Sequence, residues 1–112
     1  MYTFHILSLP HTVASTEYVS CAYTQKVVKF CKMMKDRGHT IYLYAHENST
    51  AVCDKLFPVT NDQVLRETYG ELDWKTNQFK HNVSDNAQKT FNRNAIEALK
   101  TSKSPGDFLL CF

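Results

Sequence analysis

The 112-residue chain is 43% hydrophobic and 12% aromatic, enough for one globular core, while its length leaves no room for two. Its formal net charge is only +2 and 21% of its residues are charged, so composition gives no concentrated basic face of the kind a nucleic-acid binder needs. No run approaches the roughly 18 apolar residues of a membrane span, and no basic-then-apolar leader opens the chain, so a cytoplasmic protein without a transmembrane segment is expected.

In chain order, residues 2–9, "YTFHILSL", read as a first strand. The run is short and apolar on both faces and stops at Pro10, as a strand covered on both sides does. His5 lies inside it, where a lone histidine is read as a packed or hydrogen-bonded core residue. From about Ser20 to Arg37 the period becomes helical. Tyr23, Val27, Phe30, Cys31 and Met34 form one apolar stripe. Lys26, Lys29, Lys32 and Lys35 fall elsewhere on that helix, either as a solvated face or as a contact with anionic lipid. Gly38 is placed to end the helix in the left-handed conformation.

Residues 39–45, "HTIYLYA", read as a second strand and residues 46–52 as a polar loop. Residues 55–60, "KLFPVT", read as a short third strand that Pro58 favours at an edge. Thr60 followed by Gln63 predicts an N-cap and capping box for a short helix that stops at Gly70. Residues 71–83 show neither period. Ser84 is read as the cap of a last helix to about Ser102, with Ala87, Phe91, Ala95, Ala98 and Leu99 inward. After a "KSPG" turn, residues 107–112, "DFLLCF", read as a final apolar strand.

Strands alternating with helices imply an α/β fold: a Rossmann-like three-layer αβα half-domain, with a parallel sheet of about four strands in the order 3-2-1-4. With only Gly38, Gly70 and Gly106 there is no G-x-G-x-x-G and no P-loop, so no dinucleotide and no other cofactor is expected. The five histidines lack ligand spacing, and no metal site is expected. None of Cys21, Cys31, Cys53 and Cys111 forms a C-x-x-C pair, and reduced, largely buried thiols are expected.

"VVKFCKMMKDRGHTIYLYAHE", an amphipathic helix ending in Arg37-Gly38-His39 before an apolar strand, resembles the start of glycosyltransferases of the GT-B type. "PGDFLLCF" is similar to a later strand of the same domain, and residues 8–31 look like a group of phage and viral members. The resemblance implies the N-terminal, acceptor-side half of such an enzyme. The second Rossmann-like half, which in the family holds most nucleotide-sugar contacts, is not among these 112 residues. An isolated half is expected to be inactive or to need a partner C-terminal half.

Ligands of open α/β sheets sit beyond the carboxyl ends of the strands. His11 and Thr12 follow the first strand, His46 and Glu47 the second, and Trp74 lies in the segment expected near that edge. By the resemblance, His11 matches the position of a catalytic base that takes a proton from an acceptor hydroxyl, a task histidine suits; otherwise it is a turn histidine. Thr12, His46 and Glu47 would contact a sugar acceptor, or be polar loop residues. Trp74 would stack on a sugar ring, or cover the core. The uncharged "FLLCF" edge predicts a homodimer or higher oligomer, with Phe108, Leu109, Leu110 and Phe112 at the interface. The alternative function is a non-catalytic α/β module that oligomerises or binds a small ligand.

Overall fold

The computed structural model of the chain describes residues 1–9, 14, 22–69 and 86–112. The elements in order are β1 (Thr3–Leu7), α1 (Ala22–Asp36), β2 (Thr40–His46), β3 (Lys55–Thr60), α2 (Asp62–Tyr69), α3 (Asn86–Ser102) and β4 (Phe108–Cys111). The four strands form one sheet in the order β3-β2-β1-β4, every pairing parallel. That is the α/β architecture and strand order the sequence predicts.

The period-2 alternation of the strands sorts side chains onto two faces. Ile6, Ile41, Leu43 and Ala45 meet Val27 and Cys31 of α1 in one fully buried cluster. Tyr44 and Val59 meet Phe91 and Ala95 of α3 in the other. Burying a valine-sized side chain contributes about 1.5–3 kcal/mol, so each helix is held mainly by its stripe. Residues 47–54 run back along the α1 face without a helix, Ala51 and Cys53 packing on the first cluster. The chain then crosses to the opposite face for α2 and α3. This is what right-handed connections require when the strand order reverses between β3 and β4.

Helix α1 ends as its glycine predicts. Gly38 has φ +84°, with Gly38 N–H donating to Lys35 O and His39 N–H to Met34 O, each at 3.0 Å. These are the paired bonds of a Schellman motif. Two local expectations shift. Tyr23 is exposed, its ring lying under the Lys26 ammonium, and Thr24 is buried instead. The cap of α2 is Asn61, whose Oδ1 accepts from Val64 N–H at 3.0 Å, so Thr60 is left at the strand end. Ser84, the expected cap of α3, lies outside the described residues; Ala87, Phe91 and Ala95 do face inward. Pro58 sits on β3 at a sheet edge, as its missing N–H favours. Among the described residues no helix is long and apolar enough to cross a membrane.

Candidate functional site

The carboxyl ends of β1, β2 and β3 gather polar side chains in a row. Ser8 extends β1 by one step, its N–H donating to Tyr44 O at 3.0 Å. Thr60 ends β3 opposite His46, the last residue of β2. Ser8 and Thr60 therefore flank the end of β2, two strand spacings or about 10 Å apart. Both are 3% exposed, and neither hydroxyl has a hydrogen-bond partner among the described residues. An unsatisfied buried hydroxyl costs roughly 1–3 kcal/mol, so this edge carries unused hydrogen-bonding capacity.

His46 lies between them and is fully buried. Its Nδ1 accepts from Asn48 N–H at 3.0 Å, and Nε2–H then donates to Asp62 Oδ1 at 2.7 Å. The neutral Nε2–H tautomer satisfies both contacts. Both ring nitrogens are thus engaged, and the open end of the pair is the Asp62 carboxylate, 45% exposed at the start of α2. Glu47 is exposed, and its N–H donates to Thr60 O at 3.0 Å, which locks the β2 and β3 ends together. Ala14, between β1 and α1, is held to the segment after β2. Ala14, fully buried, donates its N–H to Ser49 Oγ and accepts at its carbonyl from Thr50 and Ala51.

Of the residues singled out from sequence, His46 and Glu47 fall on this edge, while His11, Thr12 and Trp74 lie outside the described residues. Ser8, Thr60 and Asp62 belong to the edge but were not among the candidate site residues, Thr60 being read only as a helix cap. Ser8 had a readable signal, being the hydroxyl residue directly after the first apolar run. Asp62 had none, since its partner is 16 residues away with no helical or strand spacing between them. Among the described residues no group of three or more His, Cys, Asp or Glu could hold a metal ion.

A second polar network sits elsewhere on the sheet. His5, fully buried in β1, places Nε2 2.8 Å from Asp107 Oδ2 and Nδ1 2.8 Å from the Tyr44 hydroxyl. That hydroxyl lies 2.6 Å from Ser102 Oγ, which also donates to Ala98 O at 2.7 Å. The turn 104–107 aims the carboxylate: Gly106 has φ +93°, and Asp107 N–H donates to Ser104 O at 3.1 Å, as in a type II turn with Pro105 first. The Ser104 N–H, and then the His5 ring, hold the Asp107 carboxyl below its usual range. Burial pushes the Tyr44 hydroxyl up, partly offset by its bond to Ser102. This network joins β1, β2, α3 and the entry to β4, and it gives the histidine the hydrogen-bonded core place expected from sequence.

The far edge of the sheet is β4. Phe108 is 47%, Leu109 44% and Phe112 36% exposed, and Leu110 is half-buried. Phe108 stacks on Phe4 and meets Tyr2 edge-on, and Phe112 tilts against Phe30. Parallel pairing alternates inward and outward backbone groups. With Phe112 N–H donating to Leu7 O, the backbone groups of Leu109 and Cys111 point away from β1. Set beside known proteins, the chain matches no family model, no curated protein and no solved structure.

Proposed function

We propose that this chain is the acceptor-side domain of a glycosyltransferase of GT-B type, binding a hydroxyl-rich acceptor at the carboxyl ends of its parallel strands. The observation that carries the reading is that Ser8 and Thr60, at the strand ends on either side of β2, hold buried hydroxyls without partners among the described residues, while the β2 end carries the engaged His46–Asp62 pair. Sugar hydroxyls both donate and accept, so they suit a mixed set of hydroxyls and carboxylates. Glu47 and Asp62 supply exposed carboxylates for such contacts. His46, with both nitrogens engaged, acts by holding Asp62 and the start of α2 in place.

His11 is the proposed base, Thr12 a further acceptor contact and Trp74 a stacking platform. Donor chemistry belongs to a second Rossmann-like half, supplied by a partner C-terminal half, and the domain is cytoplasmic. A second reading, a module that assembles through β4, draws on the exposed apolar edge at Phe108, Leu109 and Phe112. The two readings are compatible, since the edge and the carboxyl ends are different surfaces. The test is calorimetric titration with a panel of mono- and disaccharides and with nucleotide sugars. Saturable binding of simple sugars, weakened by Asp62→Ala, is expected. Saturable binding of nucleotide sugars alone, or no binding, sinks the acceptor-side reading.

A further inference from the structure

Charge on this chain is unevenly placed. Residues 22–37 hold five of the 13 cations (Lys26, Lys29, Lys32, Lys35 and Arg37) and one of the 11 acids, Asp36, a local net of +4. The remaining eight cations and ten acids net −2. The overall +2 thus conceals one basic helix on an otherwise acidic domain.

Helix geometry places most of that charge on one side. At 100° per residue, Lys26, Lys29, Lys32 and Met33 lie within the half of α1 that faces away from Val27 and Cys31, and Arg37 continues it, while Tyr23 belongs by angle to the Val27 side and projects from the first turn into solvent. All six of these side chains are exposed. Lys35 is the exception, paired at 2.8 Å with Asp54. The Lys32–Asp36 pair is open to solvent on both sides and holds its lysine weakly. Two apolar groups sit among the cations, Tyr23 at 59% and Met33 at 44% exposure. A shallow groove of about 330 Å³ runs along the same surface, lined by Lys29, Lys32, Met33, Asp36 and Arg37.

We infer that the outer face of α1 is a docking surface for an anionic lipid bilayer. The partner must be negative, extended and tolerant of apolar side chains. Headgroup phosphates and serine carboxylates meet the lysines, whose stems reach out while their ammonium groups stay wet. Met33, among the lysines, enters the headgroup layer, and Tyr23, exposed at the first turn, meets the layer's edge, where an aromatic ring with a hydroxyl is favoured. A nucleic-acid duplex would meet the same cations but gives a buried methionine no apolar environment. The inference is independent of the acceptor site, which lies at the strand ends and not on this helix.

The test uses the 112-residue chain with vesicles of pure phosphatidylcholine and of phosphatidylcholine containing about a third phosphatidylserine, sedimented at about 0.1 M salt, where charges are screened beyond about 10 Å. Binding is expected only to the serine-containing vesicles. Each cation near such a surface contributes about fivefold in partitioning, so Lys26→Gln, Lys29→Gln and Lys32→Gln together should lower it about a hundredfold. These side chains are exposed, and an unchanged melting temperature confirms that the fold survives. An environment-sensitive dye on Met33→Cys should shift to the blue with those vesicles, whereas the same dye on Ile96→Cys of α3 should not. Equal sedimentation with both vesicle types, undiminished binding of the triple variant, or preferential capture by duplex DNA in competition with the vesicles would overturn the inference.

Discussion

Tyr44→Phe isolates one atom of the His5 network. The ring stays, stacked on Phe57 at 4.7 Å and 9°, while the hydroxyl that bridges His5 and Ser102 is removed. His5 is fully buried and its Nδ1 has no other partner among the described residues, so the variant strands a buried polar nitrogen. That costs about 1–3 kcal/mol, and in a domain of this size it lowers the melting temperature by roughly 4–12 °C. Ser102→Ala should cost less than about 1 kcal/mol, because Ser102 is only half-buried and its other bond is a local one within the helix. The double variant should fall short of the sum, since both changes delete the same Tyr44–Ser102 bond. Thermal and urea unfolding followed by far-ultraviolet circular dichroism measures all three. A Tyr44→Phe variant within about 0.5 kcal/mol of the parent, the range of an ordinary surface change, would refute the network as a structural clamp.

Other expectations follow from single features. Burial, with Cys53 nearby, pushes the Cys31 thiol up to about 12, and burial also raises Cys53. Of the three described cysteines, iodoacetamide on the folded chain should therefore label exposed Cys111 first, Cys53 more slowly and Cys31 last, as peptide mapping would reveal. Gly38→Ala places a Cβ at φ +84°, where nothing crowds it but the backbone conformation is disfavoured, so a loss of roughly 1–2 kcal/mol should appear in the same unfolding assay. The Lys35 ammonium, then the Ile41 N–H, hold Asp54 below the ordinary carboxylate range, as Ser104 N–H and His5 hold Asp107. Groups depressed in the folded state stabilise it above their unfolded values, near pH 4, and lose that contribution as pH falls through the depressed folded values. Acid melting curves of Asp54→Asn and Asp107→Asn should thus be flatter below about pH 4 than the parent's; parallel curves would remove these carboxylates as a source of acid lability.

Much of the fold was legible because it rests on period. The apolar runs of β1 and β2, the stripe of α3 and the glycine after Arg37 each act locally, and the strand order follows from how helices alternate with strands. The misplacements are local too. Tyr23 continues the stripe of α1 in sequence but projects from its first turn into solvent, so periodicity alone could not exclude it. Asn61 and Thr60 are both competent caps, and the choice between them depends on where pairing with His46 ends β3. The candidate site was less legible. His46 lay in a polar stretch that reads as a loop, yet it is fully buried because Asn48 and Asp62 satisfy its ring. The His5–Asp107 pair spans 102 residues and joins only when β4 aligns beside β1. Such contacts are products of the sheet, and no spacing in the chain announces them.

The carboxyl ends of β1, β2 and β3 are proposed to receive a sugar acceptor. Amide chemical shifts recorded during titration with simple sugars test it most directly. Saturable shifts are expected to cluster at Ser8, Glu47, Thr60 and Asp62 and at residues 10–12, and to diminish together in a Ser8→Ala, Thr60→Val double variant. Shifts confined to β4 or to α1, or no saturable shift at all, would contradict it.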